Sequence, residues 1–134
     1  MTESENRERT VNRIRDLLNL QKDLCASFPE NQFNVFVFGS YPTVRYKSAE
    51  SDVDVAVYAD NLELYKKIAV RIEQFFEDRE VPLDLFFVDI TNPAPFFLAP
   101  LNAQIQFTDY FPEELKAFEH KCANELNKIK RSMA

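Results

Sequence analysis

Glycine is nearly absent from this sequence. Gly39 is the only glycine in 134 residues, where an average usage of about 7% would give roughly nine. Proteins use glycine where the backbone takes a positive φ or must approach another group closely. The stretch around it, "VFVFGSYPTVRYKSAESDVDVAVY" at residues 35–58, is therefore the first candidate for a functional site.

Long apolar runs and cysteines are also scarce. No run of about eighteen uncharged apolar residues exists, so no transmembrane helix is predicted. The N-terminus "MTESENRERT" is polar and mixed in charge, unlike a secretory signal peptide. Cys25 and Cys122 lie on apolar helical stripes without metal-ligand spacing, and we expect them in the core. The pattern predicts a soluble, reduced, cytoplasmic protein.

Positive charge is in deficit. The chain has 16 Lys and Arg against 22 Asp and Glu, which gives a net charge of −6. Strong sequence-independent binding of nucleic acid needs a basic surface, so the charge argues against it. The charge does not exclude a small anionic ligand such as a nucleotide, because metal cations can accompany it. The sole histidine, His120, lies off the apolar stripe of Phe118 and is expected in solvent, so a histidine base has little support.

The residues that are present predict a globular α/β (α+β) fold. Forty-six per cent of the chain is apolar, with 13 Phe, enough for a core in a single domain over residues 1–134. Apolar spacing predicts helices on a small mixed sheet. The predicted elements are a helix at about 5–28, strands at 33–39, 52–58, 83–89 and 104–107, a helix opened by a capping box of Asp60 with Glu63, a loop with a short helical turn at 91–101, and a helix at about 112–131.

The segment after Gly39 resembles a helix start. Ser40 is a favoured N-cap residue, and Pro42 is tolerated in a first turn. We therefore predict a helix over residues 41–46 whose free backbone N–H groups would attract a phosphate. An ordinary strand-to-helix turn is the alternative.

Three aspartates lie on predicted strands. Asp52 and Asp54 project from the same strand face, although aspartate is disfavoured in strands and paired carboxylates repel. Asp84 stands in a third, apolar strand, where a lone buried carboxylate would be costly. A divalent cation such as Mg²⁺ would neutralise all three. The alternatives for Asp84 are a salt bridge or an exposed edge position.

These motifs resemble a known family. "FGSYPTVRYKSAESDVDVAVY" followed by "LDLFFVD" is similar to the nucleotidyltransferase superfamily of DNA polymerase β, which carries GS, then Asp-x-Asp, then a third strand aspartate. The short chain looks most like the minimal nucleotidyltransferase (MNT) branch, many members of which are paired with HEPN proteins as toxin–antitoxin systems. The resemblance covers residues 33–89. Eleven residues separate Ser40 from Asp52, one more than many HEPN-paired antitoxins have, and "YPTVRY" lacks the second glycine of many relatives.

The resemblance implies a polymerase-β-like fold and a set of site residues. It implies that three aspartates are catalytic residues and ligands of two Mg²⁺ ions: Asp52, Asp54 and Asp84. Asp84 would also help to deprotonate an acceptor hydroxyl. The implied nucleotide-binding and phosphate-binding residues are Gly39, Ser40, Ser51, Arg45 and Lys47. Arg45 and Lys47 could equally be solvated loop cations.

The resemblance also implies a reaction and a partner. The chain would transfer NMP from ATP or another NTP to a hydroxyl, such as a tyrosine of a HEPN toxin, within a homo- or hetero-oligomer. Phe96 and Phe97 would either dock that partner or pack on the sheet edge. Two alternatives stay open: a non-catalytic antitoxin that neutralises by contact, and a nucleotidyltransferase acting on a small molecule such as an antibiotic.

Overall fold

Helices pack on both faces of a four-stranded sheet. The computed structural model describes residues 1–133. In chain order the elements are α1 (Glu3–Ser27), β1 (Phe33–Phe38), β2 (Val53–Ala59), α2 (Leu62–Asp78), β3 (Leu83–Phe87), α3 (Leu98–Leu101), β4 (Ile105–Gln106) and α4 (Glu113–Ser132). A 3-10 turn at Pro95–Phe97 leads into α3, which confirms the short helical turn predicted in the proline-rich segment.

The sheet is mixed, as predicted. Its strand order is β3-β2-β1-β4. Strand β2 pairs antiparallel with β1 and parallel with β3, and β1 pairs antiparallel with β4. Helix α2 forms the crossover that a parallel β2–β3 pair requires. Because β3 has only one neighbour, its outer edge stays open along the strand that carries Asp84.

Apolar residues cover both faces of the two central strands. On one face Val53, Val55 and Val57 pack with the buried sides of α1 and α2, opposite the face on which Asp52 and Asp54 were predicted. On the other face Ala56 packs beneath α3 and α4, beside the buried Phe118. Burial on both faces explains the nearly continuous apolar sequence of β1 and β2. The face shared by Ala56 and Asp54 is therefore apolar in its middle and acidic at one end.

Helix α2 begins one residue later than the predicted capping box would place it. Its N-cap is Asn61, whose side-chain oxygen accepts the Leu64 backbone N–H at 2.8 Å. The capping box at Asp60 is wrong because that carboxylate instead accepts the Tyr110 hydroxyl at 2.7 Å. Asparagine and aspartate cap helices equally well, so the neighbouring contact decides which one does so.

The same helix ends in a Schellman motif. The backbone N–H of Val81 donates to the Phe76 carbonyl and that of Glu80 to the Glu77 carbonyl, each at 3.0 Å. This motif places its second-to-last residue in the left-handed region, where glycine is usual. Glu80 occupies that position with φ 55°. The chain thus accepts a side chain at a positive φ where space permits.

The predicted helix over residues 41–46 is wrong, and so is the helix N-terminus at Ser40. The segment forms turns, with the Thr43 backbone N–H donating to the Ser40 carbonyl at 2.8 Å. The Thr43 hydroxyl donates to the same carbonyl at 2.7 Å and accepts the Arg45 N–H at 3.2 Å. Local side-chain bonds of this kind compete with helix formation. Tyr41 and Tyr46, both buried, hold the turns against the core.

The smaller predictions are confirmed. Cys122 is buried and Cys25 partly buried, both as free thiols, and His120 is exposed. Within residues 1–133, no helix is long and apolar enough to cross a membrane.

Candidate active site

Sheet register brings the predicted aspartates together. In the parallel β2–β3 pair, Asp54 lies directly opposite Asp84. Residues opposite one another on neighbouring strands project from the same face, so these two carboxylates share one surface of the sheet. Asp52 comes just before β2 and, two residues from Asp54, belongs to the same face. The three acids are therefore grouped where β2 and β3 begin.

The electrostatics of this group favour a bound cation. Burial raises the pKa of Asp54, and the charges of Asp84 and Asp52 raise it further. Partial desolvation raises the pKa of Asp84, as do the charge of Asp52 and a hydrogen bond with it. Neighbouring negative charges disfavour ionisation of both carboxyls, and a divalent cation would reverse that effect.

The carboxylate oxygens of the three aspartates are suitable ligands for magnesium, although they do not form a preformed metal site. Hard carboxylate oxygens are the ligands that Mg²⁺ prefers, usually with substrate phosphates and water completing the shell. In the described part of the chain, no group of three or more His, Cys, Asp or Glu side chains is arranged to hold a metal ion. Asp84 is exposed on the edge strand, which was one of its two alternatives. The three acids are therefore candidate ligands by their chemistry and by the strand register, not by a preformed metal-binding geometry.

Gly39 contacts the acidic group directly. Its φ is +74°, and a positive φ is one of the two reasons for glycine that the sequence suggested. A Cβ at this position would overlap with Oδ2 of Asp54 and lie 3.2 Å from its Cγ. The register explains the contact, because Phe38 pairs with Asp54 and Gly39 follows Phe38. Glu80 shows that a positive φ alone does not exclude a side chain, so the approach of Asp54 is what excludes one here.

The remaining sequence-predicted residues divide into two locations. Ser40 adjoins Gly39, and Ser51 adjoins Asp52, with its N–H donating to the Lys47 carbonyl at 2.8 Å. Arg45 and Lys47 instead line an open cavity of about 790 Å³ beside the first turn of α1, which none of the three aspartates lines. The Lys47 ammonium lies 4.0 Å from the Glu50 carboxylate, with both side chains largely exposed.

An aromatic cluster adjoins the acids, and sequence reasoning missed it. Phe86 follows Asp84 by two residues on the same face of β3, and Phe38 lies opposite Asp54. The ring of Phe96 packs 4.7 Å from that of Phe86 and 5.9 Å from that of Phe38, and the residue is 44% exposed. The alternation in "LDLFF" already predicts that Phe86 shares a face with Asp84. Phe96 therefore packs on the sheet face and still presents a surface.

Phe97, its neighbour, has a different environment. Its ring packs 5.4 Å from that of the buried Phe118, in the cluster under α4. Of the two expectations for these residues, packing at the sheet edge describes Phe96, whose ring lies against Phe86 of β3, whereas Phe97 packs against α4. Only Phe96 also offers an exposed surface.

Comparison with known protein families identifies the chain as a nucleotidyltransferase. The model of the nucleotidyltransferase domain family matches residues 17–117, and the chain belongs to this family. The matched range includes Gly39 and all three aspartates. No curated protein matches the chain significantly.

Three solved structures resemble the chain over most of its length. A chain of a mutant MntA–HpeT toxin–antitoxin complex has 17% identity and a TM-score of 0.47, covering 90% of this chain and 98% of that one. A chain from the tri-AMPylated Shewanella oneidensis HEPN toxin in complex with MNT antitoxin has 18% identity and a TM-score of 0.47, covering 93% and 99%. A toxin–antitoxin structure with AMP-PNP has 18% identity and a TM-score of 0.47, covering 90% and 98%. At these scores the likenesses carry no argument about this chain.

Proposed function

We propose that this chain is an Mg²⁺-dependent nucleotidyltransferase of the MNT type, which transfers NMP from an NTP, with ATP favoured, to a hydroxyl of a HEPN-type toxin. It would act as the antitoxin of that toxin in the cytoplasm. The family assignment supports the reaction class. The MNT-like motifs in residues 33–89 are what favour the toxin as acceptor.

One observation carries the catalytic part of the proposal. Asp54 faces Asp84 across the β2–β3 register, and the only glycine of the chain lies against Asp54. A fold under no functional demand would gain stability by replacing facing carboxylates of raised pKa. A site that binds Mg²⁺ and a triphosphate requires them.

The residues of the chain have distinct roles in this proposal. Gly39 and Ser40 would receive the triphosphate, because the turn after β1 brings backbone close to Asp54 without an intervening side chain. Asp52, Asp54 and Asp84 would hold Mg²⁺, which when bound neutralises the triphosphate and stabilises the charge that develops on the reacting oxygens. Asp84 is exposed and would orient the incoming hydroxyl and accept its proton. The hydroxyl oxygen bonds to the α-phosphorus as pyrophosphate leaves.

The surface around the acids suits a protein acceptor. The exposed ring of Phe96 stands on the sheet face that carries Asp84, at the open edge of β3. An acceptor side chain could reach this face from solvent, and an aromatic one could pack against the phenylalanine ring. The net charge of −6 argues against a nucleic acid strand as acceptor.

A single incubation tests the reaction. Purified chain is mixed with the candidate toxin, Mg²⁺ and each NTP in turn, and the intact mass of the toxin is measured. We expect the toxin to gain one or more NMP masses with the wild-type chain and none with Asp52→Asn. Asp23→Asn is the matched control, because this exposed carboxylate on α1 pairs with Arg71 on α2 and not with the acidic group. Loss of transfer in both variants, or in neither, would refute the assignment.

A second candidate function has one observation in its favour. In the described residues the three aspartates do not form a preformed metal site. A non-catalytic antitoxin, which would bind the toxin by contact alone, does not need such a site. In that case the wild type and Asp52→Asn would protect the toxin equally and no mass would be gained. That outcome would replace the enzymatic proposal.

A further inference from the structure

The turn that follows Gly39 is held only partly by its own groups, which include the Thr43 hydroxyl with its bonds to the Ser40 carbonyl and the Arg45 N–H. Its backbone bonds are the Thr43 N–H to the Ser40 carbonyl at 2.8 Å and the Tyr46 N–H to the Thr43 carbonyl at 3.3 Å. The carbonyls of Tyr41 and Val44 have partners outside the turn. Because backbone polar groups need partners, the conformation of this segment depends on the side chains that supply them.

Helix α1 supplies those partners. Arg13 donates from Nε to the Tyr41 carbonyl at 2.8 Å and from a terminal nitrogen to the Thr43 carbonyl at 2.9 Å. The same terminal nitrogen also donates to the Thr10 hydroxyl at 3.0 Å. Asn6 donates to the Val44 carbonyl at 2.8 Å. Asn6, Thr10 and Arg13 follow one another at i, i+4 and i+7, so one face of α1 binds the turn.

The guanidinium of Arg13 also packs on aromatic rings. Its central carbon lies 4.8 Å from the ring centre of Tyr46 and 5.8 Å from that of Tyr41. The two rings meet edge to face with centroids 5.0 Å apart, and both tyrosines are buried. A planar guanidinium can stack and donate in two directions at once, which a lysine ammonium cannot reproduce.

We propose that Arg13 is a positioning residue that holds the Gly39–Tyr46 turn in the conformation that binds the triphosphate. This inference rests on the proposed function and adds a residue to it. Arg13 acts through the turn, because its hydrogen bonds go to the Tyr41 and Thr43 carbonyls and to Thr10.

The proposal has a kinetic signature. If Arg13 sets the fraction of molecules in which the turn is formed, its loss lowers the apparent affinity for NTP by that fraction. Once the nucleotide is bound the turn is formed again, so kcat changes little. A residue that only stabilised the fold would lower the melting temperature without this separation of KM from kcat.

The experiment compares Arg13→Lys and Arg13→Met with Arg71→Lys and Arg71→Met. Arg71 is a matched control, because it also links α1 to another element, with two 3.0 Å bonds to Asp23 and its guanidinium 5.8 Å from the Phe28 ring. Hydrogen exchange at the Thr43 and Tyr46 amides is measured first and needs no activity. We expect exchange about tenfold faster in Arg13→Met, intermediate in Arg13→Lys, and unchanged in both Arg71 variants. Equal exchange in the Arg13 and Arg71 variants overturns the proposal.

The kinetic arm follows with NTP and the acceptor. We expect KM for NTP to rise about tenfold in Arg13→Met, with kcat within about twofold of wild type and an intermediate KM in Arg13→Lys. A fall in kcat at constant KM, or an unchanged KM with fast exchange, overturns the proposal. If the wild type itself transfers no nucleotide, the proposed function fails, while the exchange comparison still decides whether Arg13 holds the turn.

Discussion

Replacement of Gly39 by alanine tests the contact that joins the turn to the acidic group. The new Cβ would overlap with Oδ2 of Asp54 and lie 3.2 Å from its Cγ, at a backbone φ of +74°. The left-handed conformation costs a non-glycine residue about 1–2 kcal/mol. Displacing the Asp54 side chain from its rotamer adds about 1 kcal/mol. We therefore expect the free energy of unfolding to fall by about 2–3 kcal/mol and the melting temperature by roughly 10 °C.

A double-mutant cycle separates the two costs. In an Asp54→Ala background the colliding carboxylate is gone and only the backbone cost remains, since the Asp54 Cβ would lie 3.5 Å from the new methyl group. The coupling energy between the two positions, measured by urea unfolding of the four proteins, should be about 1 kcal/mol. Gly39→Asn serves as a control, since asparagine tolerates a positive φ yet still carries a Cβ.

Additive effects of Gly39→Ala and Asp54→Ala on the free energy of unfolding would refute this explanation of Gly39. If Gly39→Ala costs the same in both backgrounds, within about 0.4 kcal/mol, the approach of Asp54 is not what requires glycine. The same conclusion follows if Gly39→Asn is as stable as the wild type. Because the new methyl group would displace the Asp54 carboxylate, we also expect the Gly39→Ala variant to have a lower rate of nucleotidyl transfer than the wild type.

Two further predictions concern the same features. Glu80→Gly should raise the free energy of unfolding by up to about 1 kcal/mol, because Glu80 holds a positive φ at the end of α2; a less stable variant in urea unfolding would contradict this. Asp54→Asn should be more stable than the wild type at pH 7 without divalent cations. The raised pKa of Asp54 means that the folded state binds more protons, so wild-type stability falls as pH rises from about 4 through the folded pKa. Thermal unfolding across pH should show the difference vanish near pH 3.

Much of the fold follows from local pattern. The apolar stripes of α1, α2 and α4 and the short β-branched strands predicted their elements, because burial selects a period of 3.6 or 2 along the chain. The turn after Gly39 was mispredicted for an equally local reason. Ser40 and Pro42 are typical of a helix start, but the Thr43 hydroxyl and the partners on α1 satisfy the backbone in another way.

The sequence by itself determined which chemistry is present: one glycine, three strand aspartates, and the alternation that places Asp52, Asp54 and Phe86 on predictable faces. Only the tertiary structure decided which groups meet. The register places Asp54 opposite Asp84 and beside Gly39. The docking of α1 brings Arg13 to the Tyr41 carbonyl, which lies 28 residues away in the sequence. The physical reason is that strand register and helix docking are fixed by packing between distant segments, which no local pattern encodes.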